Sequence, residues 1–183
     1  LFISHIVSIN RMNGKGTKTM LDFVEEISFE EIKEVWEKEL WPNKKNGVAK
    51  ANEWTWEWSV VRSKRKLGKD KQMAKEVEPT FIGIRSGQEL VAVNSCYYSN
   101  TQGMFEYWRS RGLWVHPNFR GQKYSSVVLI WCLEYAKRKG GHWMWTVPRE
   151  SALAAYKSVG FVQQSDWFED GQYGPNCIAS KYL

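Results

Sequence analysis

The chain has few of the residues that tie a protein to an oxidising compartment, a metal or a membrane. Only three of its 183 residues are cysteine, Cys96, Cys132 and Cys177, an odd number at wide spacing with no Cys-x-x-Cys pair. That argues against a disulfide framework and against a cysteine zinc site, and a reducing cytoplasm fits best. Histidine is equally scarce. His5, His116 and His142 are scattered, so no metal ligand set can be read from their spacing and none is expected. Long apolar runs are missing as well. The longest, residues 1–9, is broken by Ser4, His5 and Ser8, is too short to span a bilayer, and is followed by no signal-peptide cleavage pattern. A soluble protein with no membrane partner is the expectation. There are no internal repeats or low-complexity linkers, and the length suits one domain that buries roughly 70% of its unfolded surface. An initiator methionine is also lacking. Met20 is a plausible start, which makes residues 1–19 an N-terminal extension and residues 20–183 the domain; an extra N-terminal strand is the alternative.

What is abundant is tryptophan. Eleven of them, within an ordinary 43% apolar content, mean that a core or a pocket is built from large flat side chains. The excess of 26 Lys and Arg over 20 Asp and Glu leaves a net charge of +6, which suits either nucleic acid or an anionic cofactor. Charge alone does not choose between them.

Residues 19–27 read as a first strand. Ser28-Phe29-Glu30-Glu31 then has the spacing of a capping box, and Ile32, Val35, Trp36 and Leu40 follow at helical intervals until Trp41-Pro42 stops them. Trp54, Trp56 and Trp58 alternate with a period of two, which fits a strand, although a helix stays open for that segment. Residues 62–75, rich in lysine with Gly68 and Asp70, read as a solvated loop. A nucleic-acid footprint there is disfavoured, since runs of charge usually face solvent. Residues 79–84 and 89–98 form a hairpin around Ser86-Gly87-Gln88, and 105–115 a longer strand. A helix over 121–139 places Tyr124, Val127, Val128, Trp131 and Tyr135 on one face and closes at Lys137-Arg138-Lys139-Gly140-Gly141. Residues 142–147 are the next strand, Pro148 opens a helix over 149–159 that Gly160 stops, and 161–168 with 177–182 form a final antiparallel pair. The order implies an α/β chain with a mixed sheet flanked by helices.

The stretch from Leu113 to Leu129 joins an apolar strand to an amphipathic helix through a short turn. A helix start leaves about four amides without intrahelical partners and carries roughly half a positive charge, so it attracts anions. Arg120 and Lys123 bring full charges to the same place. A diphosphate-bearing cofactor is the first ligand these features suggest.

Val115-His116-Pro117, then Arg120-Gly121-Gln122-Lys123-Tyr124-Ser125, and after a strand Ala152 and Tyr156-Lys157-Ser158-Val159-Gly160-Phe161, resemble the linked motifs of GNAT-type N-acetyltransferases. The first resembles the family's acyl-CoA loop, Arg or Gln, two residues, Gly, one residue, then Gly or Ala; the second its Tyr-x-x-x-Gly-Phe helix end. The resemblance covers about residues 20–183. It implies a mostly antiparallel sheet splayed between its fourth and fifth strands and flanked by helices, with acetyl-CoA as cosubstrate and no metal. Two positions depart from the pattern: Lys123 stands where the first loop glycine is expected and Ser125 where the second Gly or Ala is expected. Such glycines let amides approach a phosphate with no Cβ in the way.

By the same resemblance, Leu113 and Val115 would present a free strand edge to the pantetheine arm. The amide near Val115 would stabilise negative charge on the thioester oxygen, a contribution of roughly 3–4 kcal/mol for a well-placed donor. Arg120, Gly121, Gln122, Lys123, Tyr124 and Ser125 would hold the pyrophosphate, and Ala152 would also contact the cofactor. Tyr156 matches the acid that protonates the departing thiolate. Core packing of a tyrosine at helical spacing is the plain alternative. A lysine-like amine, with pKa about 10.4, needs a base or a water relay; Glu106 is the first candidate, before Glu150 and His116. Arg109 and Arg111 share one strand face and could hold an acidic group of the substrate. The tryptophans at 54, 56 and 58 could line an amine site, with core packing the expected use of at least two of them.

The expected function is transfer of acetyl from acetyl-CoA to a primary amine of an unidentified small molecule or protein, by direct attack, in the cytoplasm, by a monomer or homodimer. A longer acyl-CoA or another nitrogen acceptor is the enzymatic alternative. A non-catalytic acyl-CoA sensor and a nucleic-acid binder using residues 62–75 are the others.

Overall fold

Ser28 opens the first helix as its spacing predicts. Its hydroxyl accepts the Glu31 amide at 3.2 Å, and the Glu31 carboxylate accepts the Ser28 amide at 2.8 Å, so two orphan donors are satisfied at once. These bonds, joined by the charge of Arg85, hold the Glu31 carboxyl below its usual range. The computed structural model describes residues 23–42, 79–98, 107–169 and 173–183. The tryptophans at 54, 56 and 58 and the basic segment 62–75 lie outside the described residues.

Within them, the first strand is reduced to β1 (Glu25–Glu26), because the chain turns at Ser28 into α1 (Phe29–Val35). A π-helical turn over Trp36–Leu40 extends α1 and closes with the Trp41 amide donating to the Trp36 carbonyl at 2.7 Å, just before Pro42. The expected hairpin is β2 (Thr80–Ser86) and β3 (Glu89–Tyr98), turned by Gly87 at φ +63°. Next come β4 (Tyr107–Val115), a single 3-10 turn over Pro117–Phe119, and α2 (Tyr124–Arg138). The second helix begins at Tyr124 rather than at 121 because Gly121 and Lys123 both take left-handed backbone. Then follow β5 (Trp143–Thr146), α3 (Glu150–Ser158), β6 (Val162–Gln163), β7 (Phe168–Glu169), β8 (Pro175–Asn176) and β9 (Ala179–Tyr182).

Seven strands form one sheet in the order β1-β2-β3-β4-β5-β9-β6, antiparallel except for the β4–β5 pair. The final antiparallel pair is not continuous. β6 pairs with β9, whereas β7 and β8 make a separate two-stranded ladder. The break falls where the Ser165 hydroxyl, in place of a strand carbonyl, accepts the Ile178 amide at 2.8 Å. Helices cover both faces. On one, α2 sets Val128, Leu129 and Cys132 against Ile82, Ala92 and Met144; on the other, Ile32 and Trp36 pack with Val93 and Trp114.

Two features part the central strands. The β4–β5 ladder holds three pairs, Tyr107 with Trp143, Trp108 with Met144 and Arg109 with Trp145, and pairing ends there. Beyond it, β4 carries a bulge, since Ser95 partners Arg111 while Val93 partners Trp114. Gly112 sits in the bulge at φ +75°, and the fully buried Trp36 indole lies on it, donating from Nε1 to the Gly112 carbonyl at 2.9 Å. A Cβ at 112 would enter that indole, and its backbone would be strained as well. Gly112→Ala is expected to lower unfolding free energy by on the order of 3 kcal/mol, read by denaturant titration.

Candidate active site

A cavity of about 480 Å³ occupies the gap between the parted strands. Ser110 to Val115 of β4 form one wall, Thr146, Val147 and Pro148 another, and Ser151, Ala152, Ala155 and Tyr156 of α3 a third. Strand alternation sends Ser110 and Arg109 to opposite faces of the sheet. Since both line the cavity, as do Tyr156 on one side and Trp41 on the other, it passes through the sheet.

The strand edge in this gap is partly spoken for. The His116 amide donates to the Val91 carbonyl of β3 at 2.9 Å, so the amide and carbonyl of Val115 face the other way, into the gap. Arg120 Nε donates to that carbonyl at 3.1 Å, which folds the arginine back along the cavity wall. The Val115 amide remains directed at the opening.

Tyr156 is 2% exposed, with its ring edge-on to Phe161 and its hydroxyl 3.4 Å from Ser110 Oγ. Burial pushes the phenol above its ordinary pKa of 10, partly offset by hydrogen bonds with Ser110 and Thr146 and by the charge of Arg109. It therefore keeps its proton throughout the neutral range. Sequence reasoning missed Ser110 and Thr146. Small polar residues in otherwise apolar strands, on the face turned to α3, were the available signal.

At the other end, the first intrahelical bond of α2 runs from the Val127 amide to the Lys123 carbonyl at 3.1 Å. The amides of Tyr124, Ser125 and Ser126 thus have no acceptor within the helix. Ser125 and Arg120 line the cavity, together with Leu113, Val115 and Ala152. Gly121, Gln122, Lys123 and Tyr124 do not line it; the first three are exposed on the turn. Lys123 is the one described residue other than glycine with positive φ, at +66°.

Of the three base candidates, two lie among the described residues. Glu106 lies outside the described residues. Glu150 is exposed at the start of α3 and lines no part of the cavity. His116 caps the 3-10 turn, its Nδ1 accepting the Asn118 amide at 3.2 Å, while Nε2 lies 3.5 Å from Glu89. Arg111 stacks over Trp41 at 5.2 Å, and Arg149 donates to the Leu40 carbonyl at 2.6 Å and lies over Tyr173 at 4.5 Å.

The sequence pattern of the acetyltransferase (GNAT) family matches residues 34–161. The chain belongs to that family. No curated protein matches it closely enough in sequence to count as a relative. Among solved structures, it is similar to an aminoglycoside 6'-N-acetyltransferase complexed with coenzyme A, at 10% identity and TM-score 0.59 over 87% of this chain and 96% of that one. It is also similar to a ribosomal-protein-alanine N-acetyltransferase from Brucella melitensis, at 13% identity and TM-score 0.57 over 87% and 99%. A third is the PaiA N-acetyltransferase from Thermoplasma acidophilum in complex with coenzyme A, at 14% and 0.55 over 87% and 98%. At these identities the likeness establishes the fold, a GNAT-like sheet parted between β4 and β5.

GNAT membership supports acyl transfer from acyl-CoA. The altered loop of this GNAT domain keeps the backbone shape a glycine would take, with the lysine side chain outside the cavity. Left-handed backbone costs an L-residue roughly 1–2 kcal/mol, and glycine gives back part of that gain as unfolded-state entropy. Lys123→Gly is therefore expected to raise unfolding free energy by about 0.5–1 kcal/mol, and Lys123→Val to lower it, in thermal or denaturant unfolding.

Proposed function

We propose that this GNAT domain transfers acetyl from acetyl-CoA to a primary amine by direct attack within the cavity. The observation that carries the proposal is the through-sheet opening where β4 and β5 part, with the Tyr156 hydroxyl buried in it. Solved relatives named as N-acetyltransferases, two of them complexed with coenzyme A, support the choice of nitrogen and of cofactor.

The residues present suit the cofactor. An amide facing a gap at Val115, a cavity beside it and an unpaired helix start with Arg120 fit an extended chain ending in a pyrophosphate. Leu113 and Val115 would take the pantetheine arm, Ala152 would leave room for it, and Arg120, Gly121, Gln122, Lys123, Tyr124 and Ser125 would hold the phosphates. When bound, acetyl-CoA supplies an activated thioester. The Val115 amide, which faces the gap, would donate to the charge that gathers on a thioester carbonyl oxygen held there.

Tyr156 is the acid of this proposal. Its raised pKa keeps the proton in place, and a thiolate released in the same desolvated space has a raised proton affinity too. Tyr156→Phe preserves the ring packing against Phe161. It should cut kcat about 100-fold and leave stabilisation by coenzyme A unchanged, by thiol-release assay and melting curves. Equal loss of both would assign Tyr156 to packing alone. Ionisation of Tyr156 should depress kcat only above pH 10, since burial moves its pKa upward.

Glu106 is the base we assign, because an amine of pKa about 10.4 is mostly protonated at neutral pH. For Glu106→Gln, kcat should fall at pH 7, and the deficit should shrink as the pH approaches 10 and the amine loses its proton unaided. A pH profile against the unsubstituted protein reads this. The free, buried thiols of Cys96, Cys132 and Cys177 support placing the protein in a reducing cytoplasm.

A further inference from the structure

Three buried polar atoms find no partner among the described residues, and all three can donate: the Tyr97 hydroxyl, Arg109 Nε and Trp145 Nε1. Register sets their residues in one row. Tyr97 partners Arg109 between β3 and β4, and Arg109 partners Trp145 between β4 and β5. Partnered residues share a face of a sheet, and the Arg109 guanidinium carbon lies 4.5 Å from the centre of the Trp145 ring. Three side chains in one row across three strands thus each leave a buried donor unmet, an arrangement native structures rarely tolerate.

The charge and chemistry of the missing acceptor follow. A guanidinium calls for an anionic oxygen, and a phenol O–H and an indole N–H in the same row are further donors to it. Coenzyme A phosphates are not needed to supply it. Arg109 lies six residues before Val115 on β4, roughly 20 Å of strand away from the helix start and Arg120. Its neighbour Ser110 instead touches Tyr156, the acid of the proposed reaction. The anion therefore belongs to the molecule that meets the thioester from the α1 face.

We infer that the acceptor is a small amine carrying a carboxylate or phosphate within a few atoms of its nitrogen, received by Arg109 with Tyr97 and Trp145 beside it. This rests on the acetyl-transfer reading. It deepens that reading by excluding acceptors that carry only positive charge near the amine. Arg109 shares the cavity lining with Arg111 and Arg149, so positive side chains outnumber Glu39, the one acidic residue among the described residues that line it.

The test uses the whole chain with saturating coenzyme A and pairs of product-like probes that differ in charge alone. N-acetylated amino acids are compared with their amides, and N-acetylated aminoalkyl phosphates with their neutral methyl esters, by titration calorimetry. The acid of a pair should bind about tenfold or more tightly than its neutral twin. The series that shows the larger preference identifies carboxylate or phosphate. Arg109→Gln should abolish the preference, Arg109→Lys should keep part of it, and Tyr97→Phe should weaken it severalfold. Neutral twins that bind as well as the acids, or no binding by any probe while coenzyme A still binds, would overturn the inference and leave the cofactor reading standing. Failure of coenzyme A itself to bind would remove both.

Discussion

The structure depends on a ladder that stops. β4 and β5 run parallel and pair at three positions, after which the hydrogen-bonding edges of both are left without each other. An open edge inside a sheet is costly, and a chain would normally close it with another strand. Here closure is prevented from both sides. On β4, the Gly112 bulge changes direction and is pinned by Trp36 from the opposite helix layer; on β5, the chain leaves the sheet at Val147-Pro148 to start α3. The gap is thus a built feature, held by a large buried indole that packs against one strand and a proline that ends the other. Trp36 earns its full burial in this way, since the same ring that fills the space under α1 also carries the hydrogen bond that holds the bulge.

Because side chains alternate across a strand, one gap presents two kinds of side chain. Ser110 and Thr146 face α3 and meet a tyrosine that burial keeps protonated. Arg109 and Trp145, one residue away on the same two strands, face α1 and bring charge and flat surface. A cofactor that enters along α2 and α3 and an acceptor that enters beside α1 would meet only where the strands part. On the proposed reading the two ligands would be kept apart by the sheet itself, with the tyrosine hydroxyl on one side of the gap and the cations on the other.

Much of this architecture was legible in the residues. Local hydrogen-bonding logic marked the Ser28 capping box, the Gly87 hairpin turn and the stop before Pro42, because each depends on neighbours in sequence. The resemblance carried the position of the parting and the placement of Tyr156 on α3 beside it. What escaped was set by contacts between distant segments. The bulge at Gly112 needs Trp36, which is 76 residues away. Ser110 and Thr146 gain meaning only once α3 lies across them, and the row of Tyr97, Arg109 and Trp145 exists only in the register of three strands. The C-terminal strands do pair antiparallel, and only the early end of their ladder escaped, for a local reason: a serine hydroxyl can take a strand's acceptor role, and alternation of apolar residues does not reveal it.

Lys123 shows how a departure from a motif can conserve its physics. A glycine in such a loop does two separable things: it leaves out a Cβ, and it permits positive φ. At φ +66° this lysine meets the second requirement at a cost in strain, while its side chain stays exposed and outside the cavity. The first requirement is local to whatever the Cβ would strike, and here the turn is open to solvent. Gly121, two residues earlier at φ +75°, shares the left-handed turning of the loop, so the helix can begin at Tyr124 with its first amides unpaired. What the proposed anion site would demand of the loop is therefore the path of its backbone. A lysine that follows that path also brings a positive charge to the rim, which a glycine would not.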